Sequence, residues 1–147
     1  MKKRSCYYLF LIFLFAACNN TQNIKEEASS ITEPLSCYAY IHNSDSILLN
    51  IKVDDNIVTG NLTYNFFEKD DNEGSINGEM HGDTIFAVYK FQSEGKESER
   101  EIAFLKREDT FVEGFGEVIY ENEKMLFKNK SLLNFESNLV LEETPCP

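Results

Sequence analysis

The stretch Asp45-Ser46-Ile47-Leu48-Leu49-Asn50-Ile51-Lys52-Val53-Asp54-Asp55-Asn56-Ile57-Val58-Thr59-Gly60-Asn61-Leu62-Thr63-Tyr64-Asn65-Phe66 decides the fold. Ile47, Leu49, Ile51 and Val53 recur at every second position. After the turn residues Asp54-Asp55-Asn56, Val58, Leu62, Tyr64 and Phe66 do the same. Side chains of a strand alternate between its two faces, so this spacing predicts two half-buried strands joined by a tight turn.

The pattern continues downstream. Ile85, Ala87, Tyr89 and Phe91 share one face, followed by Ile102 and Phe104, then Phe111, Phe115 and Ile119, and finally Leu139 and Leu141. Turn chemistry separates these runs at Asp70-Asp71-Asn72-Glu73-Gly74, His81-Gly82-Asp83, Glu94-Gly95-Lys96 and Glu121-Asn122-Glu123. Short strands at regular spacing predict an all-β antiparallel meander of about eight or nine strands. Such a sheet must manage its edges, so a closed or nearly closed barrel is expected, with a two-sheet β-sandwich as the alternative. Residues 129–136 fit a helical turn as well as a strand.

The N-terminus reads differently. Lys2, Lys3 and Arg4 precede an apolar run from Tyr7 to Phe15, then Ala16, Ala17 and Cys18. The run is too short to span a bilayer, which takes roughly 20 residues. The segment resembles the leaders of bacterial lipoproteins. That resemblance implies cleavage after residue 17, acylation of Cys18 with chains such as palmitate, and retention on a membrane. The organisation read from this is a signal peptide (1–17), a lipidated cysteine and flexible tether (18–36), and a single β domain (37–147). The tether is polar and ends near Pro34; as a coil its reach is about 21–25 Å. Lys25-Glu26-Glu27 resembles the lysine-plus-acid export tag of surface lipoproteins in the Bacteroidota.

The remaining cysteines of the mature chain are Cys37 and Cys146, one at each end of the β body. Export to an oxidising compartment permits a disulfide between them. It would close a loop of about 110 residues, for which loop entropy gives about 4.7 kcal/mol. No neighbouring histidine or cysteine completes a metal site there, and no cofactor is expected.

The full chain carries a formal charge of −11, and loss of the basic leader makes the body more acidic still. Such a surface repels phosphate backbones, so no nucleic-acid partner is expected. A partner steered by charge would be a basic protein. With 12 Phe and 7 Tyr, the chain can fill a core despite its charge.

Motifs of catalysis are sparse. His42 and His81 sit at strand ends with no serine or cysteine motif beside them. Gly114-Phe115-Gly116 lacks the third glycine of a dinucleotide site and fits a bulge or a close strand approach better. The acidic turn at Asp70 departs from a calcium loop, because the sixth and twelfth places hold Ser75 and His81. Carboxylates are plentiful, but nothing singles out a pair for glycoside hydrolysis. Asp45-Ser46-Ile47 and Asp83-Thr84-Ile85 resemble the acceptor used for O-glycosylation of exported proteins in the Bacteroidota, which would place sugars on Ser46 and Thr84.

The stretch from Tyr38 to Glu117 is similar to small lipoproteins of the Bacteroidota. The residues that carry this are Tyr40, Asp45-x-Ile47-x-Leu49, Val58-x-Gly60-x-Leu62-x-Tyr64, Glu68-Lys69-Asp70, Asn72-x-Gly74, Gly82-Asp83-Thr84, Tyr89-x-Phe91-x-Ser93-Glu94-Gly95, Ser98-x-Arg100-Glu101 and Glu113-Gly114-x-Gly116. The resemblance implies anchorage at the outer membrane, on its periplasmic or cell-surface face, but no reaction. Ser93, Glu94, Arg100 and Glu101 form a candidate binding hairpin, with Arg100 expected to pair with Glu94 or Glu101. The functional expectation is therefore a non-enzymatic lipoprotein of binding or structural type. The alternatives are an inhibitor of a basic cell-wall hydrolase and a carrier of a small apolar ligand.

Overall fold

A computed structural model describes residues 34–93 and 95–147. The leader, Cys18, nearly all of the tether and Glu94 lie outside the described residues. Among the described residues, ten strands follow one another: β1 (Ser36–His42), β2 (Asp45–Asp54), β3 (Ile57–Asn65), β4 (Asn72–His81), β5 (Thr84–Ser93), β6 (Lys96–Arg107), β7 (Thr110–Glu113), β8 (Val118–Glu121), β9 (Lys124–Phe127) and β10 (Val140–Thr144). One 3-10 turn among the described residues spans Lys130–Leu132. Among the described residues, no helix is long and apolar enough to cross a membrane.

Eight strands close a barrel in the order β1-β2-β3-β4-β5-β6-β7-β10, with β10 returning to β1 and every pair antiparallel. Closure removes the edges that an open sheet would expose. It also answers the alternative of a two-sheet sandwich. The tenth strand exceeds the expected eight or nine because residues 114–139 leave the wall between β7 and β10. They form the β8–β9 hairpin outside the ring, with β9 lying parallel to the first half of β6 (Glu99↔Lys124, Arg100↔Met125). Phe115 and Ile119, which the alternation assigns to the core, lie on this excursion and are exposed.

Registers put the predicted apolar faces together. Ile47 faces Tyr64, Leu49 faces Leu62, and Ile51 faces Gly60. Ile47, Leu49, Val58, Leu62, Ile85, Tyr89, Phe104 and Leu141 are fully shielded from solvent. An eight-stranded barrel has an interior just wide enough for side chains to fill, and these fill it. At Gly60 the walls come so close that a Cβ would run into the backbone of Asn50 and Ile51; at Gly74 it would meet Lys90 and Phe91. Only glycine allows that approach.

Cys37 and Cys146 are joined by a disulfide, 109 positions apart in sequence. Cys37 lies on β1 opposite Thr144 of β10, so the bridge laces the seam where the first and last barrel strands meet.

Candidate functional site

Within the barrel, the polar residues gather toward the end that holds the start of β6. Strand alternation turns Arg100 inward, between Ser98 and Ile102, and turns Glu99 and Glu101 outward. The Arg100 guanidinium lies 4.9 Å from the centre of the Tyr64 ring, 5.5 Å from Tyr89 and 5.7 Å from Phe91. Tyr89 and Phe91 are themselves stacked at 4.6 Å. Desolvated cation–π contacts of this kind contribute about 2 kcal/mol.

Opposite Arg100, the Tyr64 hydroxyl donates to Glu113 Oε1 at 2.7 Å. Glu113, 5% exposed, is the buried charged residue of the core. Burial pushes its carboxyl above the usual carboxylate range, opposed by the Tyr64 hydrogen bond and by the Arg100 charge. Burial, then the neighbouring Glu113, drives the Tyr64 phenol well above its ordinary value. Burial takes Tyr89 to about 12. Both phenols thus stay neutral near pH 7. Among the described residues, Asn72 Oδ1, Tyr89 Oη and Arg100 Nε are buried with no hydrogen-bond partner. Arg100, Tyr64 and Glu113 thus form one polar cluster inside the barrel, linked through the Tyr64 ring and hydroxyl.

Outside the wall, the neighbours of Arg100 fasten the lateral hairpin. Glu99 takes Lys124 at 2.6 Å and Lys90 at 2.7 Å, and these two ammonium groups hold its carboxyl below the usual range. Glu101 accepts from Lys130 at 2.9 Å and from the Phe127 backbone N–H at 2.8 Å. The expected pairing of Arg100 with Glu101 is therefore not formed: adjacent residues of one strand point to opposite faces. Ser93 pairs in register with Lys96 at the foot of the β5–β6 turn.

The other candidates fall on the surface. Ser46, the second residue of β2, and Thr84, the first of β5, lie on the outer face, partly exposed. Asp45, ahead of Ser46, accepts the Phe67 N–H at 2.8 Å and so ties down the β3–β4 loop. His42 ends β1 beside Tyr40. His81 lies exposed, 3.2 Å from Glu79. Gly114 and Gly116 are close approaches, against the rings of Phe135 and the side chain of Leu133. Among the described residues, no three His, Cys, Asp or Glu side chains are grouped to hold a metal ion.

Shallow depressions mark the outer wall, and two of them border candidate residues. One, about 430 Å³, runs along β1 and β10 past Ala39, Ile41, Val140 and Glu142. The second, about 260 Å³, lies among Glu79, His81, Phe86 and Lys130.

Glu113 and Glu99 escaped the sequence reading. The signal for Glu113 was present, since it sits two places after Phe111 and thus at inward parity. Glu99 had none, because its partner Lys124 lies on a strand brought alongside only by the fold.

Compared with family models, with curated proteins and with solved structures, the chain matches none. Its own geometry defines it as a small, self-filled antiparallel barrel, laced at its seam and carrying a lateral hairpin.

Proposed function

We propose that this protein is a lipid-moored, extracytoplasmic binding barrel without enzymatic activity, which engages a basic protein through its outer wall. The observation that carries this reading is where the polar groups are spent. Arg100, Tyr64 and Glu113 are turned inward and hold one another, in a lumen already filled by aromatic and aliphatic side chains. Recognition then falls to the outer wall of an acidic chain.

The Cys37–Cys146 bridge supports an oxidising compartment, since such bonds are rare in the cytosol. The Cys18 leader pattern supports mooring at the outer membrane. A lipid on one cysteine fixes the barrel near the bilayer, and the acidic wall draws a positively charged protein toward it.

Two arms test the reading. Cells fed labelled palmitate should label the wild-type chain and leave Cys18→Ser unlabelled and released. Native mass spectrometry of the exported protein should find polypeptide plus acyl groups alone. A small apolar ligand retained in the barrel would contradict binding through the wall.

A further inference from the structure

We propose that the free edge of β8 is the contact point for this partner, taking an extended basic segment as an added strand. The inference rests on the outward-binding reading and narrows it to one edge and one ligand chemistry. Strand β8 ends the sheet: it pairs with β9 on one side and, among the described residues, with nothing on the other. Every second residue of such a strand therefore turns its backbone N–H and C=O to solvent, a ready template for another chain. Most of the barrel wall is paired on both sides; at β1 the ladder with β10 stops at Ala39, and Tyr40–His42 have no partner there among the described residues.

The side chains agree with the backbone. Val118 is 41%, Ile119 42% and Tyr120 76% exposed, which is unusual company for three consecutive apolar residues. The edge is also anchored to the barrel. Its neighbour β9 is fixed to β6 by the parallel ladder, by Lys124 on Glu99, and by the Phe127 N–H on Glu101. A docking strand would meet an edge already in place, which lowers the ordering cost of binding.

Charge selects the occupant. The nearby cations are taken: Lys124 by Glu99, Lys128 by Glu117 and Lys130 by Glu101. Glu121 and Glu123, at the end of β8 and in its turn, have no ion pair among the described residues. A second copy of β8 laid parallel and in register would set Glu121 against Glu121, which is destabilising across a ladder, and an antiparallel copy sets Glu121 opposite Val118, leaving its charge unanswered. A strand that alternates apolar residues with Lys or Arg meets the same carboxylates favourably. This is strand addition, with main-chain bonds supplying affinity and side chains the choice of partner.

The probe is a short labelled peptide alternating lysine and valine, mixed with the full chain as the cell exports it. Hydrogen exchange should slow at Val118–Glu121, and binding should weaken with salt. Methylating the peptide nitrogens along one edge should abolish it, and so should replacing lysine by glutamate. Tyr120→Lys, or Glu121→Lys should Tyr120→Lys disturb folding, should weaken binding by about tenfold or more. Binding that survives these changes, with protection elsewhere on the wall, overturns the edge assignment and leaves outward binding standing. Failure to bind both this peptide and a basic protein overturns the two together. Protection of β8 that grows with protein concentration alone identifies a second copy as the occupant and overturns the basic segment.

Discussion

Tyr64 and Glu113 join opposite sides of the barrel. Their strands, β3 and β7, are four places apart in either direction around the ring, and the 2.7 Å bond from hydroxyl to carboxylate crosses the lumen between them. A buried acid so held is stabilised only while its partner is present. Tyr64→Phe should therefore lower stability by about 1–3 kcal/mol, since the carboxyl keeps its desolvation without its donor. Glu113→Gln retains an acceptor oxygen and should cost less. Urea unfolding of the two variants measures the difference; equal stability of Tyr64→Phe and wild type would contradict the role.

The same carboxyl makes a signed contribution to pH dependence. Its folded-state pKa is raised, so the folded protein holds the proton more tightly than the unfolded chain. That stabilisation is complete below the unfolded glutamate value, about 4.3, and fades as pH rises through the folded value. Glu99 has the opposite sign: its pKa is lowered, so its contribution is present above the unfolded value and lost as pH falls. Stability curves of Glu113→Gln and Glu99→Gln, each subtracted from wild type, should slope in opposite directions across the acid range.

The seam bond is a third point of test. Reducing Cys37–Cys146, or replacing both by serine, should lower stability by about 2–4 kcal/mol, because the unfolded chain regains the freedom of a long loop. The β1–β10 ladder remains, so circular dichroism should still report strands. An unchanged urea midpoint would contradict the assignment.

Glu101 should control the lateral hairpin and little else. Glu101→Gln removes the charge that holds Lys130 and weakens the acceptor for the Phe127 N–H. Loss of a charged hydrogen bond of about 1.5 kcal/mol predicts roughly tenfold faster hydrogen exchange in β8 and β9. Exchange in the barrel strands should not move. Uniform acceleration would show that the hairpin is not a separate unit.

The barrel strands with large inward residues were legible from period two alone: Ile47 to Val53, Val58 to Phe66, and Ile85 to Phe91 all face the core as the alternation requires. Strand β4 was silent for a physical reason. Its inward positions are Asn72, Gly74, Ile76, Gly78 and Met80, where glycines make room for Phe91 and Ala87 and leave no apolar signal. Phe115 and Ile119 carried the right spacing but sit outside the ring, since local pattern cannot report that the chain leaves the wall between β7 and β10. Arg100 was legible as a residue of interest, yet its surroundings were not. Tyr64, Tyr89 and Phe91 reach it only because three strands curl around one lumen.

Titrating the exported full chain with lysozyme, used as a basic protein probe, at low and at high salt tests most directly whether this barrel binds outward by charge. A micromolar complex should form at low salt and weaken steeply as salt is raised, because it is steered by an acidic wall. No complex at low salt, or one indifferent to salt, would contradict it.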